Sequence, residues 1–576
     1  MKKFIAFWAG ATLCLAAAAQ SWDEALLFSE NQYGGTARSV AMGNAMTAIG
    51  GDPGSFTINP AGIAVSSFSQ FTVTPGLTLS VAGANGNFFE NFETGTLTPR
   101  GFGDQVNSTY ARMSLPNLAF TLNRDNGRRS GWKRFGGGFA LNATNNFSNR
   151  FNAGGLNSLT SYAAALASSA EGYSADVLSN ASWFDETDPT RRAEWVDRVG
   201  YLSGLFNGIP GYEGLYQAVT ETRSESGGVV DRWVPAPLYQ TYGEQTTGSK
   251  YDMVFSFAAN YSDKFYVGAN LGVTLLNYGM SEYWQERPDN VDEFPPIEYE
   301  GGTVARYQSL RMKRNYKLRG SGIFFKAGVL WRPVAGLRLG AAIQTPTLMS
   351  LFARNAFNGE VSLSGKSIPA YSSPEDQWEY TLTLPFRFNV GAAYSFGSIA
   401  LLSADYEFVN YRGARYGLTS GEYGPMPAYM SDANLDIKDV LGVSHQLRVG
   451  AEIKPTAALA IRLGYNLITT GQRNFIDYYV DANNNVQVNL TPLTASERMA
   501  QAKHSASIGV GYAFGSFFLD GALRARFVPK EYITPYFYYA YDGDYTDKYV
   551  DDGMQVPTFM TRSTLFDAML TLGWRF

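Results

Sequence analysis

The chain has 576 residues, a length that ordinarily divides into several soluble domains of about 100 to 200 residues each. Only 17% of it is charged, 15% is aromatic and 60 residues are glycine, a composition that excludes a disordered tail. The 46 basic and 51 acidic residues give a net charge of −5, so no basic field exists to hold DNA or RNA by counterion release, and no nucleic-acid partner is expected.

Residues 1–19 read as a cleaved secretory signal. Lys2 and Lys3 precede a short apolar run that ends in Ala16, Ala17, Ala18 and Ala19, and cutting after Ala19 satisfies the small-residue rule through Ala17 and Ala19. The single cysteine, Cys14, lies inside this run. The mature chain therefore has no disulfide, thiolate metal site or cysteine nucleophile. Downstream, no stretch approaches the 18 or so uninterrupted apolar residues of a spanning helix.

Period two takes over instead. Met253, Phe255, Phe257, Ala259 and Tyr261 alternate with Val254, Ser256, Ala258 and Asn260, and after Ser262 and Asp263 the alternation resumes over 265–275. Two such runs joined by a short polar turn make a hairpin. The unit returns at 323–331 with 337–343, 386–394 with 400–408, 447–453 with 459–465, and 506–514 with 519–525. The opposite faces carry Lys326, Arg338, Arg387, Asp405, Glu407, Arg448, Glu452, Arg462, Asp520 and Arg524. Charge inside and apolar groups outside inverts a soluble barrel. The pattern predicts an all-β, transmembrane antiparallel β-barrel with a wet lumen. A soluble sandwich would need a second sheet to cover each apolar face.

Turns inside the hairpins take about two to five residues, whereas the connections at 284–303, 347–376, 412–444, 472–502 and 531–560 run to tens. Weaker strands near 69–82, 110–123 and 134–147, with a last one at 560–576, bring the count to about 14. An even number returns both termini to the periplasm. The last strand sets Phe566, Ala568, Leu570, Leu572, Trp574 and Phe576 on one face. It resembles the terminal strand by which outer-membrane proteins are recognised by the barrel assembly machinery.

The segment 20–68 is too rich in glycine and small residues for an independent core, so it is expected to plug the barrel that 69–576 forms. Within it the run from Gly35 to Ala64 closes on Asn59, Pro60 and Ala61. This run resembles the N-terminal hatch of the FadL/TodX family of outer-membrane transporters for hydrophobic compounds. The resemblance covers the chain in outline: signal, hatch, about 14 strands and terminal Phe. It implies a substrate that moves from an outer apolar groove to an inner site and leaves sideways through the wall. By its residues alone, the Asn59-Pro60-Ala61 triplet either folds the plug or gates through it.

The connection at 148–250 is read as a long extracellular loop. Asp188 and Pro189 open an amphipathic helix with Trp195, Val199, Leu202 and Phe206 on one face, followed by Ile209, Tyr212 and Leu215. This surface is either a capture groove for a greasy ligand or a face packed on the barrel rim. Lumenal Arg387, Arg448, Arg462 and Arg524 either meet a ligand carboxylate bidentately or join ion-pair networks with Asp405, Glu407 and Glu452. His445 and His504 support neither a serine dyad nor a paired haem site, since His504 and Ser505 face opposite ways along a strand. Acidic groups at 477–485 and 542–552 lack the offsets of a calcium loop. No cofactor, metal or enzymatic activity is expected.

The leading expectation is passive uptake of a hydrophobic small molecule, such as a long-chain fatty acid, by a monomer in the bacterial outer membrane, surrounded by its lipid and lipopolysaccharide. The rival is a docking or shuttle role for surface or secreted proteins. An apolar cavity beneath the hatch favours the first; a lumen filled by charge networks favours the second.

Overall fold

In the computed structural model the alternation becomes 14 antiparallel strands closed into a barrel. The structure describes residues 20–86, 88–90, 97–99, 101–179, 194–226, 228–299, 303–419, 426–480, 486–536 and 557–576. The signal sequence, Asp188, Pro189 and the acidic loop at 542–552 lie outside them.

In chain order the strands are β1 (Gln70–Gly86), β2 (Val106–Asp125), β3 (Trp132–Asn146, continued as Asn149–Asn157), β4 (Leu238–Tyr261), β5 (Phe265–Pro288), β6 (Thr303–Trp331) and β7 (Leu337–Gln344 with Thr347–Ser364). Then come β8 (Asp376–Leu384 with Arg387–Phe396), β9 (Ala400–Asn410), β10 (Val443–Ile453), β11 (Leu459–Ile468), β12 (Lys503–Phe514), β13 (Phe517–Phe527) and β14 (Phe559–Arg575). β14 pairs with β1 from Arg575 opposite Gln70 to Phe559 opposite Gly86. That pairing closes the sheet, because an open edge in hydrocarbon would leave N–H and C=O groups without partners.

The two faces divide as the alternation predicts. Phe257, Leu271, Phe325, Leu463 and Leu523 are exposed on the outside, while Lys326, Arg387, Glu407, Arg448 and Arg462 are buried inside. Near the short turns an aromatic belt runs round the exterior, with Phe265 on Trp331 at 5.9 Å, Phe517 on Trp574 at 6.2 Å and Trp132 against Tyr261 at 5.2 Å. Amphipathic rings of this kind settle at a membrane interface. Both histidines also face outward, His445 with the Tyr406 hydroxyl and His504 with that of Tyr465, each at 2.6 Å from Nδ1.

The strands run further than the apolar alternation. β5 continues to Pro288 and β6 starts at Thr303, while Thr347–Ser364 is strand where the pattern predicts a connection over 347–376. The reason lies in the outward face. On β6 it changes from Ile323 and Phe325 to Lys313, Asn315 and Lys317, whereas the inward face keeps Met312, Tyr316 and Leu318, interrupted by Arg314 paired with Glu282 at 3.4 Å. The sheet thus rises above the lipid as a wall that is wet outside and greasy within.

Candidate functional site

Residues 20–68 lie inside the barrel as two short helices, α1 (Trp22–Ser29) and α2 (Ala37–Ala41), and two 3-10 turns, Pro53–Ser55 and Pro60–Val65. Asn59 caps the second turn by accepting from Ala61 N–H at 3.1 Å, with Pro60 at the first position, where no N–H is needed. Its amide also donates to the carbonyls of Thr47, 2.7 Å away in the plug, and Val329, 3.1 Å away in the wall. The triplet meets the barrel at a pair of registered glycines. A methyl at Gly268 would meet Ala61 N at 2.5 Å, and one at Gly328 would meet Asn59 Oδ1 at 2.1 Å. The same contact recurs round the wall. Gly340 faces Thr47 O, Gly450 faces Met42 O and Gly464 faces Gly43 N, each closer than 2.5 Å to an added Cβ. Inward glycines form a belt on which the plug's backbone rests directly.

Lumenal charge serves the plug's carbonyls. Lys250 Nζ donates to Phe28 O at 2.7 Å and to Glu30 O at 2.6 Å, Arg338 to Ile49 O at 2.8 Å, and Arg524 to Tyr33 O at 2.8 Å. Lys326 reaches Thr57 O. The four arginines considered for a ligand carboxylate each hold a protein carboxylate, Arg524 that of Asp567 at 2.9 Å. Arg387 and Arg448 share Glu407 at 2.7 and 3.2 Å, and Arg462 lies between Glu452 at 2.7 Å and Asp520 at 2.5 Å. Arg387 also reaches Ser29 O. Below the plug, a cavity of about 440 Å³ is lined by Arg38, Asp52, Arg338, Glu452 and Asp520.

The wall itself parts between β2 and β3. These strands pair only from Asn117 opposite Asn142 to Asp125 opposite Arg134. Further out, β2 ladders with β1 only, and β3, interrupted at Phe147 and Ser148, turns inward to follow β4, so that the two strands meet again through single bonds, Arg112 to Ser148 Oγ at 3.4 Å, Asn152 N–H to Ser108 Oγ at 3.1 Å and Asp104 N–H to Gly154 O at 2.9 Å. Asn149 on that inner course reaches Ser80 of β1 at 2.6 Å and Ser563 of β14 at 3.1 Å. Pro116 stands at the parting and has no N–H to offer a neighbour. Where β2 leaves, the plug takes over, since Gly34 N–H donates to Ala143 O and Gln32 N–H to Thr144 O, both at 2.7 Å. Phe147 turns into the lumen and packs edge-on against Phe28 of α1 at 5.9 Å and Tyr278 at 5.4 Å.

Above the charged zone the lumen is aromatic. α1 packs among Tyr316, Leu318, Tyr380, Leu382 and Tyr416, and against a helix, α3 (Ala428–Val440). At its centre Glu24 accepts from the hydroxyls of Tyr316 at 2.8 Å, Tyr380 at 3.0 Å and Tyr416 at 3.4 Å. Burial outweighs these bonds and pushes its carboxyl up to about 8.

In the outer loop the predicted helix is α4, Trp195–Leu202, and it stops before Phe206. Gly204, at φ +75°, ends it in a Schellman turn, with Leu205 N–H on Gly200 O at 2.9 Å and Gly204 N–H on Tyr201 O at 3.0 Å. Phe206 and Ile209 then belong to a hairpin of Phe206–Ile209 with Tyr212–Ala218. Trp195, Val199, Phe206 and Ile209 are buried, while Leu202, Tyr212 and Leu215 are half-buried. The helix leans on the rim at Gly359, where an added Cβ would meet Val199 Cγ1 at 3.0 Å.

The sequence reading did not anticipate the parting of β2 from β3 or the trio Phe28, Phe147 and Tyr278. The available signal was the polar break Asn145, Asn146, Ser148 and Asn149 within the third strand.

No family model and no curated protein matches the sequence. Among solved structures, the chain is similar to a FadL homologue of Pseudomonas aeruginosa, at 12% identity over 95% of this chain and 99% of that one, with a TM-score of 0.48. It is similar to the toluene transporter TbuX of Ralstonia pickettii, at 14% identity over 94% and 98% with a TM-score of 0.42. It is also similar to the toluene transporter TodX of Pseudomonas putida, at 10% identity over 95% and 99% with a TM-score of 0.44.

Proposed function

We propose that this protein is an outer-membrane channel for passive uptake of hydrophobic small molecules, such as long-chain fatty acids, which leave the lumen sideways between β2 and β3. The observation that carries this reading is the interrupted third strand. It leaves the wall unpaired beside an aromatic cluster while the plug fills the lumen below. A greasy solute that enters the aromatic upper lumen meets charge and a seated plug beneath it, and toward the parting it meets the rings of Phe28, Phe147 and Tyr278 beside the polar break in β3. Lateral exit needs no displacement of the plug and no energy source. Asn59, Pro60 and Ala61 act in this scheme by holding the plug against the wall. Trp195, Val199, Leu202, Phe206, Ile209, Tyr212 and Leu215 shape the loop over the entrance. Arg387, Arg448 and Arg462 hold the lower lumen together through Glu407 and Glu452.

The docking alternative has the charged lower lumen in its favour, but those charges are met by the plug's carbonyls and by carboxylates of the wall itself. Deleting Phe147 and Ser148 would let β3 run straight and pair with β2. Uptake of a fluorescent fatty acid by cells carrying that variant, assembled at normal levels, is expected to collapse. Undiminished uptake would sink the lateral route.

A further inference from the structure

The outward face of β6 above the lipid-facing residues is basic. Arg319, Lys317, Lys313 and Arg311 follow one another at every second or fourth residue, on the same face as Ile323 and Phe325. Lys317 and Arg319 are exposed, and among the described residues none of the four is in an ion pair. Arg311 lies over the Tyr283 ring of β5 at 5.2 Å. Exposed Arg287 of β5 extends the patch outward, stacked on Tyr239 at 4.8 Å. The flanking acids are few, with Glu360 opposite Arg311 on β7 and Glu379 on β8.

Height decides what this patch faces. From the belt residue Trp331 to Arg319 is twelve residues of strand, which at about 3.3 Å each and a tilt of about 40° rise roughly 30 Å. That is about the thickness of a bilayer's hydrocarbon core, so Arg319 and Lys317 stand at the outer headgroup level. Directly at this level a groove of about 500 Å³ opens on the wall, lined by Leu275, Arg319, Ser321 and Phe352, with Glu379 at its far side. It offers apolar floor and a cation at the rim, the two halves of an acidic lipid.

We propose that this face binds a phosphorylated lipid of the outer leaflet, its phosphate on Lys317 and Arg319 and an acyl chain in the groove beside Leu275 and Phe352. Guanidinium and ammonium groups at an interface attract phosphate by charge and hydrogen bonding together. Elsewhere on the wall the same level carries uncharged groups, such as Thr247 and Ser249 on β4 and the Tyr465 and His504 pair on β11 and β12, as well as exposed Arg562 on β14, twelve residues from Trp574. What sets this side apart is the run of four cations on one strand with the groove beside it.

The test uses the full mature chain in mild detergent, titrated with diphosphorylated lipid A and read by native mass spectrometry. The wild-type protein is expected to retain one lipid, and the K317Q/R319Q double variant to bind it about thirtyfold more weakly. An R412Q variant, altered at an exposed cation away from the patch, should bind as the wild type does. Heat-dependent gel mobility confirms that every variant is a closed barrel. Equal retention by the double variant overturns the proposal, as does equal binding of lipid A stripped of both phosphates. Displacement of the lipid by a co-purifying protein held through the same two residues would also overturn it.

Discussion

Asn59 serves three partners with one amide: the cap at Ala61, the plug carbonyl of Thr47 and the wall carbonyl of Val329. Its replacement by Ala takes the cap from Ala61 N–H and a donor from the carbonyls of Thr47 and Val329, and should loosen the plug by about 2 to 4 kcal/mol. Hydrogen exchange over 47–65 is expected to quicken accordingly. Gly328→Val should be harsher, since its Cβ would fall on the Asn59 side chain, and liposome swelling with small sugars would report the leak. Glu24 gives a pH dependence. Its carboxyl in the folded chain titrates near 8, above the ordinary value of about 4.5, so the fold holds the proton more tightly than the unfolded chain does. Docking of α1 is therefore firmest below about 4.5 and is lost as pH rises through about 8. Amide exchange over 22–29, corrected for its intrinsic rate, should rise between pH 6 and 9, and Glu24→Gln should flatten that rise. The sequence showed the triplet because Asn and Pro announce a turn. It did not show the three tyrosines round Glu24, which lie 292 to 392 residues away along the chain.

At the scale of elements, strands were legible wherever lipid sets one face and water the other. Phe265 to Leu275 alternates cleanly, and its partners follow in register. Above the lipid the outer face turns polar while the inner face stays apolar, and the strand no longer reads as membrane-facing although the sheet continues. Helix α4 shows the complementary error. Trp195, Val199, Leu202 and Phe206 keep helical spacing, yet Gly204 adopts a left-handed conformation and Phe206 leaves the helix. Gly204→Val would force a β-branched residue into that conformation and place its Cβ 2.9 Å from Ile368, costing the loop at least about 1 to 2 kcal/mol. Protease cleavage within 195–218 is expected to accelerate while the barrel stays intact.

Taken as a whole, the molecule is an assembly in which a wall of 14 strands and a segment of some fifty residues finish each other. Removing 20–68 should leave a barrel wide enough to conduct, because a sheet of this strand number encloses more space than its own side chains fill. Planar-bilayer recordings are expected to show steady openings absent from the full chain. The contact of plug and seam has a consequence for how the protein is made. Ala37 N–H donates to Thr571 Oγ1 of β14 at 2.7 Å, and Gly51 O accepts from the Gln70 amide of β1 at 3.2 Å, so the plug touches both the first strand synthesised and the last. With glycines pressed against its backbone on many sides, it cannot be slid in afterwards. On this geometry the sheet is expected to close round its stopper at β14, so a damaged plug should lower the yield of finished barrels as well as open those that assemble.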